Sequence, residues 1–238
     1  WLVYFPELHE ERLFTSASII ELEHPFEHGE IVGYLRDLIE GNGLSDANLK
    51  ILLIGSTERV APSKARLYIM ALNPLFPDKK LYRDGATAIS FSGERVYPQS
   101  KSLSMTVSTL AYGKARQAGA YDALLVDRNG YLTECTRTNL YYTDGRAVYT
   151  PPADSVLTGV TKITLERLLR REGISVLERP LLRSELPTWS GCFLTSTSSK
   201  VMPLRKVDDI AFSIPEFVFD IMRRYDAFLK SYAAGKKD

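Results

Sequence analysis

The distribution of apolar and polar residues predicts four elements in the first third of the chain. Residues 6–20 mix polar and apolar side chains without an internal breaker and predict a helix. Between about residues 28 and 42, apolar side chains recur on one helical face and two glycines follow, which predicts an amphipathic helix and its end. The short apolar runs 49–54 and 67–72 predict buried strands joined by a loop.

The middle of the chain predicts a strand and then a helix that carries a lysine at its start. Residues 86–91 have the composition of a short strand. After them, Lys101 opens a predicted helix that Gly119 ends, and one stripe of this helix is apolar. The stripe consists of Leu103, Val107, Leu110, Ala111 and Ala115.

From residue 121 the period changes to that of a β-sheet. Asn129-Gly130 and Asp144-Gly145 each separate two apolar segments, and such dipeptides accept the positive φ angles of tight hairpin turns. The sequence therefore predicts an antiparallel meander in which Glu134 lies near a strand end. The four strands are expected at 121–127, 131–134, 139–143 and 147–150.

The C-terminal part predicts two more helices and two more strands. Residues 160–171 predict a helix with an apolar face, and the apolar runs 174–178 and 191–195 predict strands. Ser213 and Glu216 have the spacing of a capping box and open a final amphipathic helix.

Prolines and charged residues cluster between residues 73 and 80, which is typical of a linker between two domains. The sequence therefore predicts a small N-terminal domain over 1–76, a linker over 77–84 and a large domain over 85–238. Because no methionine opens the chain, we expect further residues to precede Trp1 and the small domain to be incomplete.

Composition and charge narrow the classes of protein and partner. The 238 residues are 45% hydrophobic and 25% charged, which is typical of a globular protein with a sizeable core. The net charge is +1 and basic residues are spread along the chain, which argues against nucleic acid and anionic membranes as partners. No stretch approaches the length of a membrane span, and Cys135 and Cys192 lack the spacing of a metal site, which fits a reducing cytoplasm.

Lys101 and Glu134 form the most specific candidate pair for chemistry. An aldehyde cofactor of the pyridoxal type needs a lysine to form an imine and a second group to keep its ring nitrogen protonated. Most lysines and glutamates are solvated surface charges, so the pair alone leaves both interpretations open.

Two further segments could bind an anion such as phosphate. Residues 158–161 lie at the start of a predicted helix, where backbone N–H groups lack partners and the helix dipole is positive. The polar run 196–199 follows a predicted strand and offers hydroxyl and backbone donors. Every helix has such an end and serine-rich turns are common, so each segment also has an ordinary structural interpretation.

Metal and hydrolase chemistry are disfavoured. His24 and His28 are four residues apart, but Pro25 lies between them and no third ligand is near, so no metal site is predicted. Thr197 and Lys200 approach a Ser-x-x-Lys pattern, but threonine stands at the nucleophile position and the companion motifs are missing.

Taken in order, these segments resemble the class IV pyridoxal-phosphate aminotransferases, a family of branched-chain aminotransferases, D-amino acid aminotransferases and aminodeoxychorismate lyases. The resemblance covers the chain from Arg12 to about Leu204. It implies an α+β, two-domain enzyme of fold type IV, with a small α/β N-terminal domain and a larger domain in which helices flank a barrel-like β core. The matching motifs include Lys101-Ser102-Leu103-Ser104, residues 121–127 and 129–134, Thr138-Asn139-Leu140, Thr150-Pro151-Pro152, residues 157–162 and Leu194-Thr195-Ser196-Thr197.

The resemblance implies a role for each candidate residue. Lys101 would form an imine with pyridoxal 5'-phosphate and act as acid and base, and Glu134 would pair with the pyridine nitrogen. Arg12 would clamp the phosphate, which overturns its default interpretation as a surface charge. The remaining phosphate donors would be Val160, Thr161, Ser196 and Thr197.

The implied activity is transfer of an amino group between an amino acid and a 2-oxo acid by a cytoplasmic homodimer. Elimination of pyruvate by an aminodeoxychorismate lyase is the alternative. A homologue that binds the cofactor without turnover is a third hypothesis, because Ser104, Lys162 and Lys200 stand where the family often has Asn, Arg and Glu. The arginine-containing carboxylate trap of D-amino acid aminotransferases is not seen, and Arg59 and Arg137 are the candidate substitutes. The family's opening segment, with its Asp-Arg-Gly and Gly-Asp-Gly motifs, is expected to precede the first residue.

Overall fold

The structure of the protein is a computed structural model that describes residues 2–55 and 65–235. Within these residues the chain separates into two compact units. The first comprises the described residues up to Phe76 together with the end of the last helix from Tyr232, and the second comprises Pro77–Ser231.

The described part of the first unit contains two helices and a pair of antiparallel strands. Helix α1 spans Pro6–Ile19, helix α2 spans Glu30–Gly41, and strands β1 (Asn48–Ile54) and β2 (Arg66–Leu72) pair along their whole length. Pro6 suits the first turn of α1, because its fixed φ is helical and its missing N–H would have no helical partner there. The predicted bounds of all four elements lie within two residues of these.

Glu10 of α1 is buried and caps the start of α2. Its Oε2 accepts a hydrogen bond from Gly29 N at 2.7 Å, and its Oε1 accepts one from Ile31 N at 3.0 Å. The first N–H groups of a helix lack partners within the helix, and a carboxylate placed there also gains from the helix dipole. Glu10 therefore joins the two helices.

A sheet that closes on itself forms the centre of the second unit, residues 77–231, all of which are described. In chain order its strands are β3 (Ala86–Ser92), β4 (Asp122–Val126), β5 (Tyr131–Cys135), β6 (Asn139–Thr143), β7 (Val148–Thr150), β8 (Val176–Glu178), β9 (Leu181–Leu182), β10 (Gly191–Ser196), β11 (Lys200–Val207) and β12 (Ile210–Ala211). The helices are α3 (Lys79–Asp84), α4 (Thr106–Gln117), α5 (Val160–Arg171) and α6 (Glu216–Gly235).

The barrel closes through the neighbour order β5, β6, β10, β11, β3, β4 and back to β5. The predicted meander is present, because β4, β5, β6 and β7 pair antiparallel in succession. Two parallel pairings, β3 with β4 and β11 with β3, complete the ring. The remaining strands extend the sheet beyond it.

The two faces of the barrel strands pack against different partners. Leu124 and Val126 of β4 belong to the large apolar cluster shared with the other barrel strands. Ala123 and Leu125, which alternate with them, pack against α4 instead. Burying each large apolar side chain contributes about 1.5–3 kcal/mol, so this alternation fixes the register of the strand.

Helix α4 begins at Thr106, which corrects the prediction that the helix starts at Lys101. Its buried face also differs from the predicted stripe. Leu110 is 60% exposed and Leu103, in the preceding loop, is 61% exposed, whereas Ala111 and Ala115 are fully buried. The small residues face the sheet because they allow the helix backbone to approach β4 closely.

Strand β11 and helix α3 are absent from the sequence prediction. Strand β11 contains Pro203, which removes a donor from the ladder and argues against a strand when the sequence is taken alone. Helix α3 occupies most of the segment that was expected to be a linker. Asp78 caps it by accepting a hydrogen bond from Lys80 N at 2.8 Å, and Leu81 packs against the barrel core.

The final helix, α6, begins at Glu216 directly after Pro215. Its buried residues recur at helical spacing, as the sequence predicts. They are Val218, Ile221, Tyr225 and Leu229. Among the helices of residues 2–55 and 65–235, none has the length and apolar character that crossing a bilayer requires.

Candidate active site

Lys101 lies in the loop between β3 and α4, and a buried guanidinium holds this loop together. Arg95 donates from Nη1 to Pro98 O at 2.9 Å and from Nη2 to Ser100 O at 2.6 Å. Ser100 is fully buried, whereas Lys101 is exposed. The loop therefore anchors the residue before Lys101 and leaves the lysine itself accessible.

Glu134 lies on β5 and is 5% exposed. Its Oε1 accepts a hydrogen bond from Arg95 Nη1 at 2.8 Å, and its Oε2 accepts one from Leu157 N at 3.2 Å. The same guanidinium thus contacts both the carboxylate and the loop that carries Lys101. Sequence reasoning proposed Lys101 and Glu134 as a pair, and the second unit brings them near each other through Arg95.

Burial and three neighbouring groups act in opposite directions on the pKa of Glu134. Burial raises the pKa of Glu134 above its usual range, because the ionised carboxylate loses water. Arg95, the N–H of Leu157 and the charge of Lys101 each act in the opposite direction. A carboxylate in this position gains stabilisation from any further positive charge placed against it.

Asn139 connects Glu134 to the start of α5. Asn139 faces Glu134 across the β5–β6 pair, and its Nδ2 donates to Leu157 O at 2.7 Å. Leu157 in turn donates its N–H to Glu134. A Cβ on Gly159 would clash with Asn139 Oδ1, so a larger residue at this position would have to displace the buried amide. The loop before α5 is therefore fixed against the barrel.

Val160 and Thr161 open helix α5, and the N-cap residue Gly159 provides no side-chain cap. Thr161 is 6% exposed, and its side chain lies near the hydroxyl of Tyr225 on α6. Thr164 also contacts this hydroxyl, at 2.9 Å. The first turn of α5 is thus held in place by side chains, and its leading backbone N–H groups have the geometry of an anion site.

Ser196 and Thr197 stand where β10 turns into β11. Ser196 pairs with Lys200 across the two strands, so residues 197–199 form the turn. The hydroxyl of Ser196 lies 2.6 Å from that of Ser199 and accepts a hydrogen bond from Ser199 N at 3.1 Å. Ser199 is fully buried and Thr197 is exposed. The buried serine orients the turn and leaves Thr197 open to solvent.

Strand β10 lies beside the strand that positions α5. Thr195, the residue before Ser196, pairs with Asn139 across β10 and β6. Thr195 is 1% exposed, and its hydroxyl has no hydrogen-bond partner among the described residues. Adjacent strands therefore carry Glu134, Asn139 and Thr195 side by side.

Arg12 lies in α1 of the first unit, beside a neutral imidazole. Its Nη2 lies 3.4 Å from Nδ1 of His9, three residues earlier. Burial, assisted by the charge of Arg12, lowers the pKa of His9 to about 4. The imidazole is therefore neutral at pH 7 and can accept a hydrogen bond from the guanidinium. Burial also lowers the pKa of Arg12, which remains cationic.

Arg137, a candidate for contact with the substrate, already packs against neighbours. Its guanidinium carbon lies 4.1 Å from the ring centroid of Tyr112, and its Nη2 donates to Tyr121 O at 3.3 Å. Its Nε is 3.9 Å from Oδ2 of the buried Asp122, and burial raises the pKa of that aspartate. The other candidate, Arg59, lies outside the residues that the structure describes.

Two of the three departures from the family pattern have local explanations. Lys162 is buried, and its Nζ donates to Glu166 Oε1 at 2.6 Å. Lys200 pairs with Asp226 at 2.7 Å. Ser104 is exposed in the loop before α4. Two of the altered residues thus contribute to packing and ion pairing, which weakens the argument that they mark a loss of turnover.

Sequence reasoning did not single out Arg95, and it quoted Asn139 without giving it a role. Arg95 could have been proposed on chemical grounds. A glutamate expected to lie in a buried strand needs a cation or several N–H donors beside it, and an arginine close to Lys101 is the natural candidate. The long-range pairings that bring Asn139 to Leu157 have no local sequence signal.

The chain is similar to a known protein family and to several proteins of known name. The family described as amino-transferase class IV matches residues 3–207. A probable branched-chain-amino-acid aminotransferase of Rickettsia felis is 29% identical over 233 residues, which cover 94% of this chain and 79% of that protein. The D-alanine aminotransferase of Bacillus licheniformis is 29% identical over 210 residues, which cover 84% and 72% respectively.

Solved structures share the fold. The branched-chain aminotransferase of Thermoproteus uzoniensis with norvaline aligns with a TM-score of 0.84 at 24% identity, over 93% of this chain and 77% of that one. The T.th. branched-chain amino acid aminotransferase with pyridoxamine 5'-phosphate aligns with a TM-score of 0.82 at 22% identity, over 96% and 79%. At these identities the likeness concerns the fold.

The closed barrel and these alignments define an enzyme of fold type IV, as the resemblance implied. The family match over most of the sequence then narrows the class: the chain belongs to the class IV aminotransferases. The predicted aminotransferase activity is confirmed at this level. The lyase alternative is not favoured, because the relatives named above are aminotransferases.

Proposed function

We propose that this chain binds pyridoxal 5'-phosphate and uses Lys101 and Glu134 to move an amino group between an amino acid and a 2-oxo acid. The observation that carries the proposal is the environment of Glu134. Its carboxylate is buried, hydrogen-bonded on both oxygens and within electrostatic reach of Lys101. A lysine beside an anchored carboxylate is the arrangement that the aldehyde and the protonated ring nitrogen of this cofactor require.

The residues of the second unit fit the cofactor's phosphate as well. Helix α5 begins without a side-chain cap, so its first backbone N–H groups can donate to an anion. The buried hydroxyl of Thr195 lacks a partner among the described residues, and since buried polar groups nearly always have one, a bound ligand or water is expected to supply it. We propose Val160, Thr161, Ser196 and Thr197 as the phosphate donors of this unit.

Each proposed residue has one physical task. Pyridoxal phosphate, when bound, supplies an electron sink for the electron pair left at Cα of the amino acid. Lys101 would take the proton from Cα as a base and deliver it, as an acid, to C4′ of the cofactor. Glu134 holds the positive charge of the ring nitrogen. Arg12 is proposed as a further phosphate ligand on the resemblance alone, because a guanidinium matches the geometry of phosphate.

The amino donor is proposed to be aliphatic. The two named relatives act, by their names, on branched-chain amino acids and on D-alanine. Arg137 is half exposed and could contact a carboxylate if it released Tyr112, but its present contacts make it the weaker candidate. Arg59 stays a prediction from the sequence.

We further propose a homodimer in the cytoplasm. Large apolar side chains are exposed around the Lys101 loop, which supports burial against a second copy. They include Val96, Tyr97, Leu103 and Leu110. Cys135 and Cys192 are both buried and unpaired, which supports a reducing compartment. Light scattering of the purified protein and fractionation of cells that produce it would test these two proposals.

The activity is tested with a donor and acceptor screen. The protein loaded with pyridoxal phosphate is incubated with leucine, valine or D-alanine, each with and without 2-oxoglutarate, and the new 2-oxo acid and glutamate are measured. We expect sustained product from an aliphatic donor when the acceptor is present, and a single turnover when it is omitted. Sustained pyruvate release from aminodeoxychorismate without an acceptor, together with no transamination of any donor, would contradict the proposal.

A further inference from the structure

Arg95 occupies a position between the two residues of the proposed catalytic pair. Its side chain is 12% exposed. Nη1 contacts Glu134 Oε1 at 2.8 Å and Pro98 O at 2.9 Å, and Nη2 contacts Ser100 O at 2.6 Å. A guanidinium is suited to this task, because its donors lie in a rigid plane and can reach several acceptors in fixed directions.

The loop that Arg95 holds is tight. Tyr97 has a φ of 50°, in the left-handed region that non-glycine residues rarely adopt, and such a conformation costs about 1–2 kcal/mol. Ser100 N donates back to Tyr97 O at 2.9 Å. The loop thus turns its Pro98 and Ser100 carbonyl groups onto one side chain immediately before Lys101. Without the guanidinium, these carbonyl groups would lose their shared partner.

Arg95 is also the main electrostatic partner of Glu134. The groups that oppose the effect of burial on the pKa of Glu134 are Arg95, the N–H of Leu157 and Lys101, with Arg95 contributing most. The buried thiol of Cys135 is adjacent and uncharged, because burial raises its pKa. If Arg95 is removed, the pKa of Glu134 rises further. Lys101, which lies within electrostatic reach of Glu134, also loses a positive neighbour.

We propose that Arg95 is a positioning residue that holds the Glu134 carboxylate and the Lys101 loop as one unit. This inference rests on the proposed function of Lys101 and Glu134 and adds the group that sets their relative position and charge. Arg95 does not touch substrate in this role. An arginine that served the loop alone would leave the charge state around the cofactor unchanged, and this difference can be measured.

The test compares R95M and R95K with the control R128M. Arg128 pairs with Glu94, the neighbour of Arg95, but its side chain is 79% exposed. The protein is loaded with pyridoxal phosphate, and its visible absorbance is followed as the pH is varied. The first measurement is the midpoint, the pH at which half of the change in absorbance has occurred. We expect R95M to raise this midpoint by about one pH unit or more, because a buried positive charge is lost. R95K and R128M should stay close to the wild type.

The second measurement is amide hydrogen exchange of residues 96–101 in the protein without cofactor. R95M and R95K should both exchange faster than the wild type in this segment, because neither side chain can hold both carbonyl groups and the carboxylate together. R128M should not. If R95M does not fold, R95Q takes its place: glutamine also removes the positive charge, so it should raise the midpoint as well, and an unchanged midpoint in R95Q overturns the proposal.

The outcomes separate this inference from the proposed function. A wild-type protein that shows no Lys101-dependent visible absorbance contradicts the proposed function itself. A wild-type protein with that absorbance, together with an R95M variant whose midpoint is unchanged, overturns the inference about Arg95. Faster exchange in R95M with an unchanged midpoint also overturns it, since Arg95 would then serve the loop alone.

Discussion

Gly159 lies so close to Asn139 that a Cβ on the glycine would clash with Asn139 Oδ1. The other end of the same amide donates to Leu157 O at 2.7 Å. Asn139 therefore holds the loop before α5 through Leu157 and packs closely against Gly159. Because Leu157 also donates to Glu134, this loop connects the proposed site of the ring nitrogen with the proposed site of the phosphate.

Substituting Gly159 by alanine should displace this loop. We expect G159A to lower the free energy of unfolding by about 1–3 kcal/mol, because a methyl group has no room beside Asn139. It should also weaken the binding of pyridoxal phosphate, measured by fluorescence titration. G113A is the matched control: Gly113 lies inside α4 with nothing within 4 Å of its Cβ position, so alanine should stabilise the protein by about 0.5–1 kcal/mol. Equal cofactor affinity in both variants would contradict this prediction.

The local elements of the fold could be predicted because their signals are local. The bounds of β6 and α5 match the predicted ones, since turn dipeptides or glycines flank a regular pattern. Strand β11 was not predicted, because Pro203 and its charged neighbours obscure the pattern. Its parallel pairing with β3 closes the barrel, and pairing between distant segments is set by the whole core rather than by either strand alone.

Replacing Glu10 by glutamine should destabilise the protein. The neutral amide presents one oxygen where the carboxylate presents two, so the N–H of Gly29 or of Ile31 loses its acceptor. We expect E10Q to cost about 1–3 kcal/mol in the free energy of unfolding, measured with urea. E11Q is the control, because Glu11 is 64% exposed and its contact with His28 is long. A loss in E11Q as large as that in E10Q would refute the capping role.

His9 should make stability depend on pH. Its pKa is about 4 in the folded protein and 6.5 in the unfolded chain, so between these values the unfolded chain binds the additional proton. Its contribution to stability is therefore complete above pH 6.5 and is lost as the pH falls. At pH 5 this loss amounts to about 2 kcal/mol.

The comparison of wild type with H9Q isolates this effect. Glutamine does not titrate, so the change in unfolding free energy between pH 7 and pH 5 should be smaller in H9Q by about 2 kcal/mol. Circular dichroism at increasing urea concentration provides the measurement. An identical pH dependence in H9Q and the wild type would rule out a lowered pKa of His9.

The candidate site was only partly accessible from the sequence. Lys101 and Glu134 carry the family motifs, so the resemblance could assign them. Arg95 belongs to no motif, and its proposed positioning role depends on the turn at Tyr97 and on the burial of Glu134. A residue that acts by contacting a site residue can be recognised only from the three-dimensional structure, because the contact depends on how the chain packs.

The most direct test of the central claim is the visible absorbance of the protein with pyridoxal phosphate, before and after borohydride reduction. Wild type should show an absorbance that borohydride abolishes and should retain the cofactor covalently on the peptide that contains Lys101. K101A should lose both properties, while K114A, which alters an exposed lysine of α4, should keep them. Covalent retention of the cofactor by K101A, or reduction at another lysine of the wild type, would contradict the assignment of Lys101.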